Sequence, residues 1–129
     1  MRYATIRIRQ NTEASMQEVR SRFLKAWSTE EYQGETFEFE SPAALFRLLT
    51  PKRWDLVEKL QGAGEMSLRG LARLLGRDVR RVWDDVHALL DSGIVEKNDE
   101  GKLFVPYAEI NADFTLSKVP PLFQYENKI

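Results

Sequence analysis

The chain contains no cysteine, which excludes a disulfide framework, a thiol nucleophile, and zinc or iron–sulfur sites built on Cys ligands. Histidine is nearly as scarce, with His87 the single copy, so imidazole clusters cannot be assembled within one chain and neither a metal site nor a cofactor is expected. No apolar run approaches the ~20 residues of a membrane span, and Met1-Arg2-Tyr3-Ala4-Thr5 has no apolar leader core. The expectation is a soluble, cytoplasmic protein with no membrane partner. A surplus of charge is lacking as well: 19 basic residues face 20 acidic ones, for a net charge of -1 over 129 residues. That balance argues against a polybasic nucleic-acid coat and against an acidic disordered chain. What is present is 43% hydrophobic residues, enough for a core of its own.

The near-zero net charge is a cancellation between blocks. Residues 1–29 carry +4, 30–41 carry -5, 42–83 carry +5 and 84–129 carry -5. Blocks of this size imply mutual pairing or a basic face beside acidic ones.

Residues 3–9 alternate, with Ala4, Ile6 and Ile8 on one side and Tyr3, Thr5, Arg7 and Arg9 on the other, the period of a half-buried strand. Asn11 or Thr12 then caps an expected helix with Met16, Val19, Phe23, Ala26 and Trp27 on its apolar stripe. A second alternating run follows Gly34, with Phe37 and Phe39 opposite Glu38 and Glu40. Strand, helix, strand suits a crossover unit in which Arg7 and Arg9 lie near Glu38 and Glu40. Glu30, Glu31, Glu35, Glu38 and Glu40 have no His or Asp motif beside them and read as a solvated, partly paired edge, not a catalytic set.

Ser41-Pro42 and Thr50-Pro51 are successive helix-start signals, a capping hydroxyl before a proline. The first opens a short helix through Leu45, Phe46, Leu48 and Leu49. The second carries Trp54, Val57 and Leu60 inward and stops at Gly62-Ala63-Gly64. These glycines follow a helix rather than a strand, which makes a poor phosphate loop. Ser67 caps a third helix with Leu68, Leu71, Ala72 and Leu75 on one face. After Gly76, Asp78 caps a fourth, with Val79, Val82, Val86 and Leu89 or Leu90 inward. Residues 94–97 and 102–105 read as short strands around the turn Asn98-Asp99-Glu100-Gly101. One more alternating run follows, with Ile110, Ala112, Phe114 and Leu116, and then a Pro120-Pro121 tail.

Residues 51–106 thus read helix, helix, tight turn, helix, hairpin. With LARLLGRDVRRV (71–82) followed by LLDSGIVEK (89–97), this stretch resembles the winged helix-turn-helix of small prokaryotic transcriptional regulators, some of whose relatives are antitoxins. Ala72, Gly76 and Val82 fill that motif's small, turn-glycine and apolar places. A bulky side chain at Ala72 would push the helices apart, and Gly76 can take the left-handed turn. Two residues depart from the pattern: Asp85 stands where an apolar residue is usual, and Gly70 where a helix former is expected. The expected fold is α+β: a winged helix-turn-helix domain over 42–106, a strand-helix-strand dimerisation arm over 1–41, and a C-terminal strand and tail over 107–129.

The resemblance makes the helix starting near Asp78 the recognition helix. Arg80, Arg81 and Asp84 would contact bases, since guanidinium matches guanine O6 and N7. Ser67, Arg69, Arg73 and Arg77 suit phosphate contacts, and Lys97 and Lys102 would reach from the wing. Five arginines and one acid occupy 67–83. Arg81 pairing with Asp84 or Asp85 on its own helix remains open, as does whether Trp83 is partly buried or faces DNA. His87 has no partner at ligand spacing and reads as surface or packing. The implied function is a sequence-specific regulator of double-stranded DNA, a homodimeric repressor and no enzyme. Its dimer surface would come from the arm and the strand around Ile110 and Leu116, with Trp27, Phe37, Phe39 and Phe114 supplying apolar area. The alternatives are an antitoxin that binds a toxin protein, with the acidic stretch 30–41 and the tail ordering on it, and a winged-helix interaction module without DNA binding.

Overall fold

In chain order the fold runs β1 (Arg2–Ile8), β2 (Glu35–Phe39), α1 (Pro42–Leu48), α2 (Pro51–Ala63), α3 (Leu68–Leu75), α4 (Val79–Ser92), β3 (Glu96–Lys97), β4 (Leu103–Phe104) and β5 (Tyr107–Ala112), an α+β arrangement. The structure, a computed structural model, describes residues 1–9, 20 and 34–116. The expected helix bearing Met16, Val19, Phe23, Ala26 and Trp27, and the tail 117–129, lie outside the described residues. Among the described residues no helix is long and apolar enough to cross a membrane.

β1 lies between β2 and β5 and runs parallel to both. The alternation read from the sequence fixes which side of β1 meets the core: Ala4 and Ile6 are buried, and Ile6 stands in register with Phe37 and Ala112. Part of the charge segregation resolves here, because Arg9 Nε lies 3.5 Å from Glu38 Oε1 across the β1–β2 pair. Ile6 joins Leu45, Leu56, Leu71, Val82 and Leu89 in one core cluster. The two strands of the expected dimerisation arm, β1 and β2, thus form one three-stranded sheet with the expected C-terminal strand, β5. Towards and past the end of β5 the alternation buries less: Ala112 and Leu116 are exposed, whereas Phe114 packs half-buried against the core.

Both proline-led helix starts form as the side chains dictate. Ser41 Oγ accepts from Ala44 N (3.1 Å) and Thr50 Oγ1 from Arg53 N (3.3 Å), each with a proline at the first helical position. Leu56, Val57 and Leu60 of α2 are buried, whereas Trp54 is half-buried at the edge of the core. α3 ends at Gly76, whose φ of 64° is left-handed; Arg77 N donates to Ala72 O (3.0 Å) and Gly76 N to Arg73 O (3.2 Å), closing the helix end.

α4 corrects one detail of its expected stripe. Val82, Val86 and Leu89 are buried, but Val79 in the first turn is exposed. The inward face starts one turn later than the apolar spacing implies. Asp78 occupies the N-cap position but makes no side-chain capping bond.

The hairpin strands are shorter than read, two residues each, paired as Glu96 with Phe104 and Lys97 with Leu103. Asn98 Oδ1 builds the turn by accepting from Glu100 N (3.0 Å) and Lys102 N (2.9 Å). Met66 gives the hairpin a third edge, its N donating to Leu103 O (2.9 Å) and its O accepting from Leu103 N (2.7 Å). Arg2 locks the hairpin base to the sheet, with Nη2 3.2 Å from Glu96 Oε2, Nε 3.2 Å from Glu35 Oε1 and the guanidinium carbon 5.1 Å from the Tyr107 ring centroid.

Candidate nucleic-acid interface

The first two turns of α4 form the centre of the site. With Val82 and Val86 turned into the core, helical geometry directs Arg80, Arg81 and Asp84 outward, and all three are exposed. No described residue forms an ion pair with either guanidinium. The alternative in which Arg81 is neutralised along its own helix is not realised: Asp85, one of its two expected partners, is occupied elsewhere.

Trp83 is 51% exposed, which settles its position on the outer side of α4. Its ring stacks on that of His87, one turn further on, with centroids 5.0 Å apart and planes 11° from parallel. His87 Nε2 in turn lies 3.7 Å from Asp91 Oδ2.

α3 contributes Arg69 and Arg73, both exposed and four residues apart. Ser67 is exposed at its start, with its hydroxyl used as the cap that accepts from Gly70 N at 3.0 Å. The glycine at 70 now has a physical reason: an added Cβ would stand 3.1 Å from that hydroxyl and 3.6 Å from Met66 Cε. Lys97 and Lys102 are exposed on either side of the hairpin turn. Because Met66 both pairs with Leu103 and directly precedes Ser67, the hairpin and the start of α3 are held in one fixed relation.

Arg77 departs from its expected place with the phosphate-facing residues. Its Nη2 lies 2.7 Å from Asp85 Oδ2, and its side chain is mostly buried. The other carboxylate oxygen, Oδ1, lies 2.9 Å from Arg53 Nε, and Arg53 Nη1 also donates to Leu48 O (2.9 Å) at the end of α1. One carboxylate thus ties α2, α4 and the α3–α4 turn together. Burial pushes the Asp85 carboxyl up, but the hydrogen bonds from Arg53 and Arg77 outweigh it and hold the group below its ordinary value.

Sequence reasoning missed Arg53 and Met66 and misplaced Arg77. One signal was available: an acid among Val82, Val86 and Leu89 demands cationic partners, since an unpaired carboxylate at a core boundary is costly. The sequence alone does not say which arginines answer it.

The fold and the site define an α+β chain that presents, from one helix beside a hairpin, two arginines paired with no described residue. The HVO_A0114 family model matches residues 48–112, and the chain belongs to that family. The matched stretch begins at the last residue of α1 and ends with β5, and so contains every residue of the candidate interface. No curated protein and no solved structure matches the chain.

Proposed function

We propose that the chain is a sequence-specific transcriptional regulator that binds double-stranded DNA. In this reading it is a cytoplasmic, homodimeric repressor without enzymatic activity, built on a winged helix-turn-helix. α3 and α4 are the two helices of the motif, and the β3–β4 hairpin is the wing. The observation that carries the reading is the pair Arg80 and Arg81, both exposed in the first turn of α4 and paired with no described residue. A helix end of this kind suits the major groove, where a guanidinium can take guanine O6 and N7 together.

The surrounding residues support the same docking. Arg69 and Arg73 on α3 are exposed for backbone phosphates, and Lys97 and Lys102 flank a turn that reaches toward an adjacent groove. The Arg53–Asp85–Arg77 cluster fixes the angle of α4 against α2, so the reading helix is presented rigidly. Two copies would place two α4 helices on half-sites about 34 Å apart.

Selection of bound sites from random duplex DNA, followed by titration across a salt series, tests this. The wild-type protein is expected to enrich one motif and to lose affinity steeply with salt. Arg80→Ala with Arg81→Ala is expected to abolish the sequence preference while leaving the fold intact by circular dichroism. Salt-independent or absent DNA binding by the wild-type protein overturns the reading.

A further inference from the structure

Trp83 is the largest exposed apolar group on α4 and stands next to exposed Arg80, three residues earlier, in the helical projection of its outer side. An isolated tryptophan on a solvated helix gains nothing from water. This one also has a neighbour: its ring stacks near-parallel on that of His87 at 5.0 Å, and Asp91 stands one turn beyond His87. The result is a flat apolar plate one turn along from Arg80.

We propose that Trp83 is a specificity-determining residue that packs against the 5-methyl group of a thymine in the major groove, and that His87 is the positioning residue that holds its ring. This inference rests on the DNA-binding reading above and adds to it a base, a position and a chemical group. Charge complementarity favours DNA over a protein partner as the occupant, because exposed Arg80, one turn earlier on the same side of α4, is neutralised by no described residue. In the major groove the thymine methyl is the one apolar feature a base pair offers, and it distinguishes A·T from every other pair. Arg80, three residues earlier on the same side, would then read the neighbouring base pair, so the two side chains together specify a short step that contains thymine.

The test uses the full chain and the site obtained by selection. Each thymine in that site is replaced in turn by deoxyuridine, which removes only the methyl group. One replacement is expected to weaken wild-type binding about fourfold, the effect of losing one buried methyl, and to leave Trp83→Ala binding unchanged. His87→Ala is expected to reduce that discrimination with helix content unaltered, and His87→Phe, which can still stack, to restore it. Equal methyl discrimination by wild type and Trp83→Ala overturns the proposal while leaving the regulator reading standing. A Trp83→Ala change that alters the mass of the free protein in solution, with base preference intact, assigns the plate to a protein contact and likewise overturns it. Absence of any salt-dependent DNA affinity in the wild-type protein removes both readings together.

Discussion

Arg53 on α2 and Asp85 on α4 meet with Nε 2.9 Å from Oδ1, and the carboxylate that joins them is only 14% exposed. Arg77 takes the second oxygen at 2.7 Å. Removing the carboxylate would leave two guanidinium groups facing each other at a core boundary. Asp85→Ala is therefore expected to cost about 2–4 kcal/mol, seen as a lower urea midpoint at an unchanged slope. A loss no larger than that of an exposed substitution such as Asp91→Ala would contradict this.

The same cluster sets a pH dependence. Burial pushes the Asp85 carboxyl up, yet the hydrogen bonds from Arg53 and Arg77 prevail, and its pKa lies below the ordinary 3.8. A depressed carboxylate contributes stability above its unfolded value and loses it as pH falls through the folded one. The stability gap between wild type and Asp85→Asn is thus expected to be full above about pH 5 and to close as pH drops below about 4. Thermal melts of both proteins across that range measure the gap.

Arginines 69, 73 and 77 share a sequence neighbourhood but should behave differently. Exposed Arg69 and Arg73 are expected each to reduce the salt slope of DNA binding by about 1 when changed to alanine, with little change in stability. Arg77→Ala is expected to lower the melting temperature instead, because it strips Asp85 of a partner. Comparing melts with salt titrations for the three variants separates the two roles.

Two glycines also part ways. Gly76 has φ 64° and open space where a Cβ would go, so Gly76→Ala costs about 1 kcal/mol from backbone conformation alone. Gly76→Asn costs less. At Gly70 the helix-propensity gain of about 1 kcal/mol from alanine is offset by crowding the Ser67 hydroxyl, 3.1 Å from the new Cβ. Gly70→Ala should be nearly neutral in chemical denaturation.

Much of the fold was legible because local chemistry determines it. Ser41-Pro42, Thr50-Pro51 and Gly76 mark helix ends by capping and backbone freedom, and the structure keeps all three boundaries. The exposure of Arg80 and Arg81 followed from the apolar spacing of Val82, Val86 and Leu89. What stayed hidden depends on tertiary neighbours. Val79 fits the apolar period but lies in the first turn, before the helix meets the core. Arg77 sits in an exposed-looking turn, and only the approach of Asp85 draws it inward. β5 was recognisable as a strand, whereas its parallel pairing with β1 needed the whole chain, as did the Met66–Leu103 bridge.

The middle strand of the sheet is the earliest in the chain, and this has a kinetic consequence. Arg2 binds Glu35, 33 residues on, and Glu96, 94 residues on, and β1 finds its second neighbour only when β5 is present. Helices α2 to α4 and the hairpin depend on near-neighbour contacts, which close quickly, whereas pairings this distant pay a loop-closure entropy and form late. During synthesis β1 waits with one edge unsatisfied while the helical half assembles beneath it. The sheet acts as the last clasp of the fold, and a β5 truncation should slow refolding or promote strand-edge aggregation before it disturbs the helices.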